Sequence, residues 1–400
     1  MKRQITIGEI AEINANSLTQ KDMFQEIMYL DTGNITRNEI DNIQVLNVMM
    51  DKIPSRAKRK VKDKTIIYST VRPNQEHYGF LENPGDNFII STGFSTIDVY
   101  DENTDEKFIY YLLTQKHITD YLHTIGENSV SSYPSINPDD IANLKFAVPD
   151  LKTQQSIAAV LSALDKKIAL NKQINARLEE MAKTLYDYWF VQFDFPDANG
   201  KPYKSSGGEM VFDETLKREI PKGWEVKSLG EIATLKAGGD KPELISQFQT
   251  QEYKFPIYSN GLNDNALYGY CKKAIITEPS ITISARGTIG FTKIRNHSFT
   301  PIIRLISVTP KNNQFIKFLE LFLSQTSFEN AGSVQKQLTI PQIENIKILT
   351  PNIKLINKFS DITTLSVELI ESNEKQNHQL TQLRDFLLPM LMNGQVSIVE

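Results

Sequence analysis

The reading of the fold turns on one stretch, QQSIAAVLSALDKKIALNKQINARLEEMAKTLYDYW, running from Gln154 to Trp189. Alternating steps of four and three pick out Ile157, Leu161, Leu164, Ile168, Asn171, Asn175, Leu178, Ala182, Leu185 and Trp189. This is a heptad seam, apolar except for two asparagines near its middle. No glycine or proline interrupts it, so the spacing predicts a single helix more than 50 Å long at about 1.5 Å per residue. An apolar stripe of that length needs a second stripe to cover it.

The covering stripe is in the same chain. A second tail, from about Lys354 to Leu388, carries Phe359, Ile362, Leu369, Ile370, Leu380, Leu383 and Leu387. At a constant offset of 202 it pairs Lys152 with Lys354, Ile168 with Ile370, Asn171 with Asn373, Leu178 with Leu380 and Leu185 with Leu387. The same offset aligns Ile141-Ala142-Asn143-Leu144-Lys145 with Ile343-Glu344-Asn345-Ile346-Lys347. Further forward, Ile7-Gly8-Glu9-Ile10-Ala11 recurs as Leu229-Gly230-Glu231-Ile232-Ala233 at an offset of 222, and Ile67 to Arg72 recurs loosely as Ile281 to Arg286. The chain is a duplication whose fronts have changed length and whose tails have not. The two tails are expected to pair antiparallel. Asn171 and Asn373 would fix register if buried in the seam, at a cost in stability; solvent exposure is the alternative. Thr363 and Ser366 weaken the second seam. Ile174, Met181 and Phe386 lie on other faces and, with Trp189 and Leu391, are expected to bind a different protein.

Each front reads as an α+β domain. In the first, β-type runs at Thr65–Tyr68, Asn87–Ile90 and Ser95–Tyr100 are separated by turn signals such as Asn83-Pro84-Gly85-Asp86, and a helix is expected at Lys107–Leu122. The second repeats the order, with strands near Ala274–Ser284 and Ile302–Val308 and a helix at Gln314–Ser324. Between the halves, Pro196, Gly200, Pro202, Gly207, Gly208, Pro221 and Gly223 give the composition of a linker, with Trp224 able to dock it. The expected division is 1–150, a helix over 151–192, a linker over 193–222, a second front over 223–350 and a second helix over 351–396.

Composition narrows the function. Lys and Arg total 44 against 48 Asp and Glu, a formal charge of −4, which excludes a uniformly basic coat but leaves room for local basic patches. A single cysteine, Cys271, excludes an internal disulfide and a cysteine-rich zinc site, and points to the cytoplasm. The start lacks the apolar run of a secretory signal, and no stretch approaches the roughly 20 apolar residues that span a bilayer. No phosphate-cradling P-loop or strand-anchored G-x-G-x-x-G occurs. The histidines, His77, His117, His123, His297 and His378, show no metal-ligand spacing. Two loose P-D…D/E-x-K matches remain: Pro149-Asp150 with Asp165-Lys166-Lys167, and Pro196-Asp197 with Glu225-Val226-Lys227. A nuclease would need such carboxylates to converge on Mg²⁺, so the first match requires residues along a helix to meet.

The chemistry that is present is basic and polar. Lys52, Arg56, Lys58, Arg59, Lys60, Lys62 and Lys64 crowd into thirteen residues of an acidic chain. Phosphates attract such a cluster. Arg72, Asn74 and Gln75 follow on a strand end, and Arg reads guanine while Asn and Gln read adenine through paired hydrogen bonds. The second half offers Arg286, Lys293, Arg295 and Asn296, then Gln335, Lys336 and Gln337. For Arg72 and Arg286 a bracing role at the strand end is the alternative to contact with DNA.

These segments, taken in order, resemble the specificity subunits of type I restriction–modification systems. The resemblance is carried by Tyr29-Leu30-Asp31-Thr32-Gly33-Asn34-Ile35-Thr36, Ser69 to Asn74, Lys183 to Pro196 (KTLYDYWFVQFDFP), Ile220-Pro221-Lys222-Gly223-Trp224 and Leu387 to Val396 (LLPMLMNGQV). It covers essentially the whole chain. One mild departure is Asn393-Gly394-Gln395, where the family usually has Ser-Gly-Glu. The resemblance implies two α/β target-recognition domains joined by an antiparallel coiled coil, with an internal pseudo-twofold repeat. Each domain would read one half of a bipartite double-stranded DNA target, with the coiled coil as the ruler. It implies no enzyme activity and no cofactor in this chain. Two modification subunits would carry S-adenosylmethionine, and restriction subunits would add ATP- and Mg-dependent translocation and cleavage. A self-contained nuclease, a coiled-coil scaffold without DNA, and a specificity chain serving a methyltransferase alone are the rival readings.

Overall fold

The computed structural model describes residues 2–19, 21–128, 134–261, 266–328 and 337–398. The chain divides into two compact units, Met1–Leu170 with Gln376–Glu400, and Asn171–Lys375. Two long helices, Leu151–Tyr186 and Ile353–Asn393, each contribute one part to either unit. Asp150 starts the first, its carboxylate accepting from the Thr153 amide at 3.0 Å, which satisfies one of the unpaired donors of the first turn. Among the described residues no helix is long and apolar enough to cross a membrane.

In the first unit the helix parts run in opposite directions. The Asn377 amide donates to the Ile168 carbonyl oxygen at 3.3 Å, and Arg384 Nη1 meets Asp165 at 2.9 Å. Tyr111 donates to the same carboxylate at 2.6 Å. Burial first and Asp165 second push its phenol pKa up. The strand Arg3–Thr6 pairs antiparallel with Lys145–Val148, just before the helix. A four-stranded antiparallel sheet follows the spatial order Ala11–Ile13, Phe94–Val99, Thr65–Ser69, Tyr78–Leu81. A second sheet orders Gln44–Asn47, Glu26–Leu30, Phe88–Ser91 and Ala57–Lys60. Ile97, Tyr68, Phe108, Leu113, Leu122, Ile157 and Leu161 share the main core with Leu391 and Met392 of the second helix.

The second unit repeats the plan. Glu225–Ser228 pairs with Lys347–Thr350 just before the second long helix. The main sheet has the matching order, Ala233–Ala237, Ile306–Pro310, Ser280–Ile283, Thr292–Arg295. The second sheet is shorter, three strands in the order Leu267–Cys271, Phe255–Tyr258, Thr300–Pro301. The first part of the drift in sequence offset, from 222 to 214, spans the stretch in which the first front carries the extra strand Ala57–Lys60, and the remaining fall to 202 comes after the strand that holds Ile67 and its copy Ile281. In this unit the helix parts again oppose: the Asn175 amide donates to the Ile370 carbonyl oxygen at 3.4 Å, and the Tyr186 and Phe359 rings lie 6.4 Å apart. Ile168 and Ile370 occupy the same place in the duplication, as do Asn175 and Asn377, so the same hydrogen bond occurs once in each unit.

The structure departs from the expectations in three places. The stretch 193–222, expected as a linker, is folded: Phe193, Phe195 and Ile220 are buried, Phe195 stacks between Tyr203 and Trp224, and Met210–Asp213 pairs with Arg218–Pro221. Its glycines and prolines make turns rather than slack. The helix expected at Lys107–Leu122 breaks at Thr114–Gln115 into Glu106–Leu113 and Lys116–Glu127. Residues 302–305, expected as strand, form a turn in which Ile303 and Arg304 have φ of 52° and 64°. The second long helix runs through Pro389 to Asn393, within the expected 351–396.

Candidate nucleic-acid interface

The basic cluster of the first unit is built on one strand. Ala57–Lys60 pairs with Phe88–Ser91 through a bulge at Ile90/Ser91. Ala57 is buried with Ile27, Tyr29 and Ile89 and anchors the strand. Arg56, Lys58 and Lys62 are exposed on and beside it. Two other cations of the cluster are engaged within the fold. Lys60 is bonded to Asp22 and lies 5.9 Å from the centre of the Phe24 ring. The hydrogen bond from Lys60 is the main cause that holds the Asp22 carboxyl down at about 2. Lys64 pairs with Glu106 at 3.2 Å. Arg59 is half-buried, its Nε meets no hydrogen-bond acceptor among the described residues, and burial lowers its pKa.

The second expected element is the turn after Thr65–Ser69. Arg72 has a φ of 48°, Pro73 to Gln75 form a short 3-10 turn, and Glu76 follows at 57°. Glu76 is fixed by Arg37 at 2.5 Å. Arg72, Asn74 and Gln75 are all exposed.

In the second unit the expected readers separate. Arg286 is exposed, and its Nε and Nη2 donate to Gln337 Oε1 at 3.2 and 2.8 Å. Lys293 is not a free reader: it pairs with Glu374 at 2.5 Å and lies 3.8 Å from Glu179, both on the long helices. Arg295 is 3% exposed, with its guanidinium 3.7 Å from the centre of the Tyr258 ring and its Nε donating to Thr282. Burial lowers its pKa. Lys293 and Arg295 alternate on one face of a strand, and that face turns to the helices and the interior. Asn296 is likewise held by Glu371. Gln335 and Lys336 lie outside the described residues. The sequence did not flag Arg304, which is exposed on the turn read as strand.

The expected partner-binding residues also divide. Met181 and Phe386 are 67% and 62% exposed, and Ile174 is half-buried. Trp189 and Leu391 are buried: Trp189 packs on Phe190 and Phe359, and Leu391 sits in the core of the first unit. They hold the fold rather than a partner. Around Trp189 the first long helix loosens into a π-turn, Asp187–Val191, which places Trp189 and Phe190 in the interior together. Further exposed apolar residues lie on the helices. Leu170 and Tyr188 are on the first, and Ile362, Leu365, Leu369 and Leu383 are on the second.

The nuclease pattern has no geometry behind it. Asp150 caps the first long helix and Asp165 stands fifteen residues along it, about 22 Å away at 1.5 Å per residue. Asp165 is occupied by Arg384 and Tyr111. In the second match Asp197 accepts from the Asn199 and Lys201 amides in a turn, and Glu225 pairs with Lys227. Among the described residues no group of three or more His, Cys, Asp or Glu could hold a metal ion.

Comparison with known proteins agrees with this arrangement. The family model for the type I restriction modification DNA specificity domain matches twice, over residues 2–180 and 221–382. The HindI specificity subunit of Haemophilus influenzae is 26% identical over 98% of this chain and 99% of its own length. The MjaIX specificity subunit of Methanocaldococcus jannaschii is 27% identical over 98% of this chain and 93% of its own length. The crystal structure of the type I restriction-modification S subunit from M. genitalium shares the fold, with a TM-score of 0.55, 18% identity, and coverage of 98% of this chain and 96% of that one. With both repeats matched by the family model, the chain belongs to the type I restriction–modification DNA specificity family.

Proposed function

We propose that this chain reads a bipartite DNA target, one half-site per front, and that its long helices set the distance between the half-sites. The observation that carries the reading is the repeated sheet order, each copy attached directly to one end of a long uninterrupted helix. A rigid helix pair holds a separation that a flexible linker would spread over a broad distribution. The exposed cations Arg56, Lys58 and Lys62 supply sequence-independent attraction to phosphate. Arg72, Asn74 and Gln75 in the first front and Arg286 in the second are the candidates for base contact.

The chain performs no bond chemistry in this proposal. Two modification subunits dock on the helices, on the faces that leave Ile174, Met181 and Phe386 accessible, and bring S-adenosylmethionine. Restriction subunits bring the ATP- and Mg-dependent steps, and the whole complex works in the cytoplasm on double-stranded DNA.

The test is to exchange residues 1–150 for the corresponding front of a relative and map methylated bases in a host that carries the modification subunits. One half-site should change and the other should stay. A change in both, or in neither with activity retained, would overturn the assignment of one reader per half-site.

A further inference from the structure

The second front contains a cleft of about 360 Å³ lined by Ala237, Arg286, Arg304, Gln337 and Thr339, among others. Two exposed guanidiniums border it, and among the described residues neither is paired with a carboxylate. Arg286 is held at its side by Gln337, which takes hydrogens from Nε and Nη2. A guanidinium has five donor hydrogens, so three remain, including the pair at its end formed by Nη1 and Nη2. An end-on pair of N–H donors matches the O6 and N7 acceptors of guanine in the major groove.

Hydrogen bonds fix the guanidinium of Arg286 and the backbone of Arg304. Asn260 bridges the two segments that carry these arginines: its Oδ1 accepts from the Ala285 amide at 2.8 Å and its Nδ2 donates to the Ile303 carbonyl oxygen at 2.7 Å. Ala285 and Ile303 are the residues immediately before Arg286 and Arg304, so one side chain sets the spacing between the two. The Leu338 amide donates to the Ala285 carbonyl oxygen at 3.0 Å, which brings Gln337 beside Arg286. On the other side the amides of Ile303 and Arg304 bond to the carbonyl oxygens of Gly239 and Gly238 at 2.8 and 3.1 Å. A Cβ on Gly238 would lie 2.6 Å from the Pro301 carbonyl carbon, so only glycine permits this approach. Ile303 is β-branched at a φ of 52°, a conformation such residues adopt only where surrounding bonds impose it. These bonds hold Arg304 at the cleft, where a freely extended strand would place it by alternation alone.

We propose that this cleft is where the second front engages its half-site, with Arg286, aligned by Gln337, reading a guanine edge and Arg304 holding an adjoining backbone phosphate. The proposal rests on the DNA-reading function above and assigns it residues. Gln337 and Asn260 are positioning residues in this scheme.

The experiment uses the complex with its modification subunits and measures binding to the mapped target, to single-base variants of each half-site, and to mixed-sequence DNA over a range of salt. Arg286→Lys keeps the charge and loses the planar pair of donors. It should lower discrimination at one guanine of the second half-site by about tenfold to a hundredfold, leaving the salt slope and the first half-site unchanged. Gln337→Ala should weaken discrimination at that same position by a smaller factor. Arg304→Ala should weaken all sequences alike and reduce the salt slope by about one. If Arg286→Lys leaves every base preference intact, or alters the first half-site instead, the cleft is not the reader. If Arg304→Ala changes preference at a base, its phosphate role is wrong. A parent complex with no bipartite preference would sink the functional reading itself, which separates that failure from failure of the cleft.

Discussion

Asn373 donates its side-chain amide to Oδ1 of Asn175 at 2.8 Å, inside the seam between the two long helices. Asn373 and Asn171 are 9% and 0% exposed, so these seats are polar groups within the seam rather than solvated ones. Polar pairs of this kind cost stability relative to leucine and restrict the pairing to one register. Asn175→Leu alone removes the acceptor for Asn373 and should cost about 1–3 kcal/mol in chemical denaturation. Asn175→Leu with Asn373→Leu should be more stable than Asn175→Leu alone. A double variant as unstable as the two single changes combined would show that the pair does not act as a unit.

The exposed and the engaged cations of the basic cluster should behave differently. Replacing Arg56, Lys58 and Lys62 with alanine is expected to weaken binding to all sequences equally. The slope of log affinity against log salt should fall by about 0.9 for each phosphate that these side chains neutralise. Lys60→Ala should act instead through the fold, because it strips Asp22 of its ion pair. Titration of mixed-sequence DNA over several salt concentrations, with a melting curve for each variant, distinguishes the two. A sequence-selective weakening in the triple variant would mean that the cluster reads bases.

The helix residues divide by burial. Trp189→Ala should destabilise the second unit by about 3–5 kcal/mol, since it empties a site packed by Phe190 and Phe359. Met181→Ala and Phe386→Ala should leave the melting midpoint within about a degree of the parent, since exposed substitutions away from special features usually change stability by less than about 0.5 kcal/mol. Both should weaken assembly with modification subunits, measured by sedimentation of the mixed proteins. Undiminished assembly in the double variant would remove these faces from the docking surface.

Much of the architecture is legible in the sequence because its periods are long. Ile157, Leu161, Ile168 and Leu178 recur at heptad spacing across a helix without glycine or proline, and the copy 202 residues on repeats both the spacing and the asparagines. The face that a short strand buries is less legible. Lys293 and Arg295 must share a face, but nothing local says that this face meets Glu374 and Tyr258 rather than solvent. Trp189 fits the seam by spacing, yet it packs on Phe359, and its neighbour Phe190 on Phe318 and Trp224, all far along the chain. The turn at Ile303 and Arg304 is unreadable for a different reason. A β-branched residue normally signals strand, and here hydrogen bonds to Gly238, Gly239 and Asn260 override that preference.

In the proposed function the helix pair holds the two readers at a fixed separation. Inserting four residues into each long helix, after Asn171 and after Asn373, adds about one turn, roughly 6 Å, and keeps the apolar stripe nearly in phase. Methylated bases would then be mapped for the insertion variant and the parent, each with its modification subunits. Both half-sites should stay the same, and the unspecified spacer between them should lengthen by about one or two base pairs at roughly 3.4 Å each. An unchanged spacer in a variant that still methylates would contradict the account, because the helices would then not set the distance.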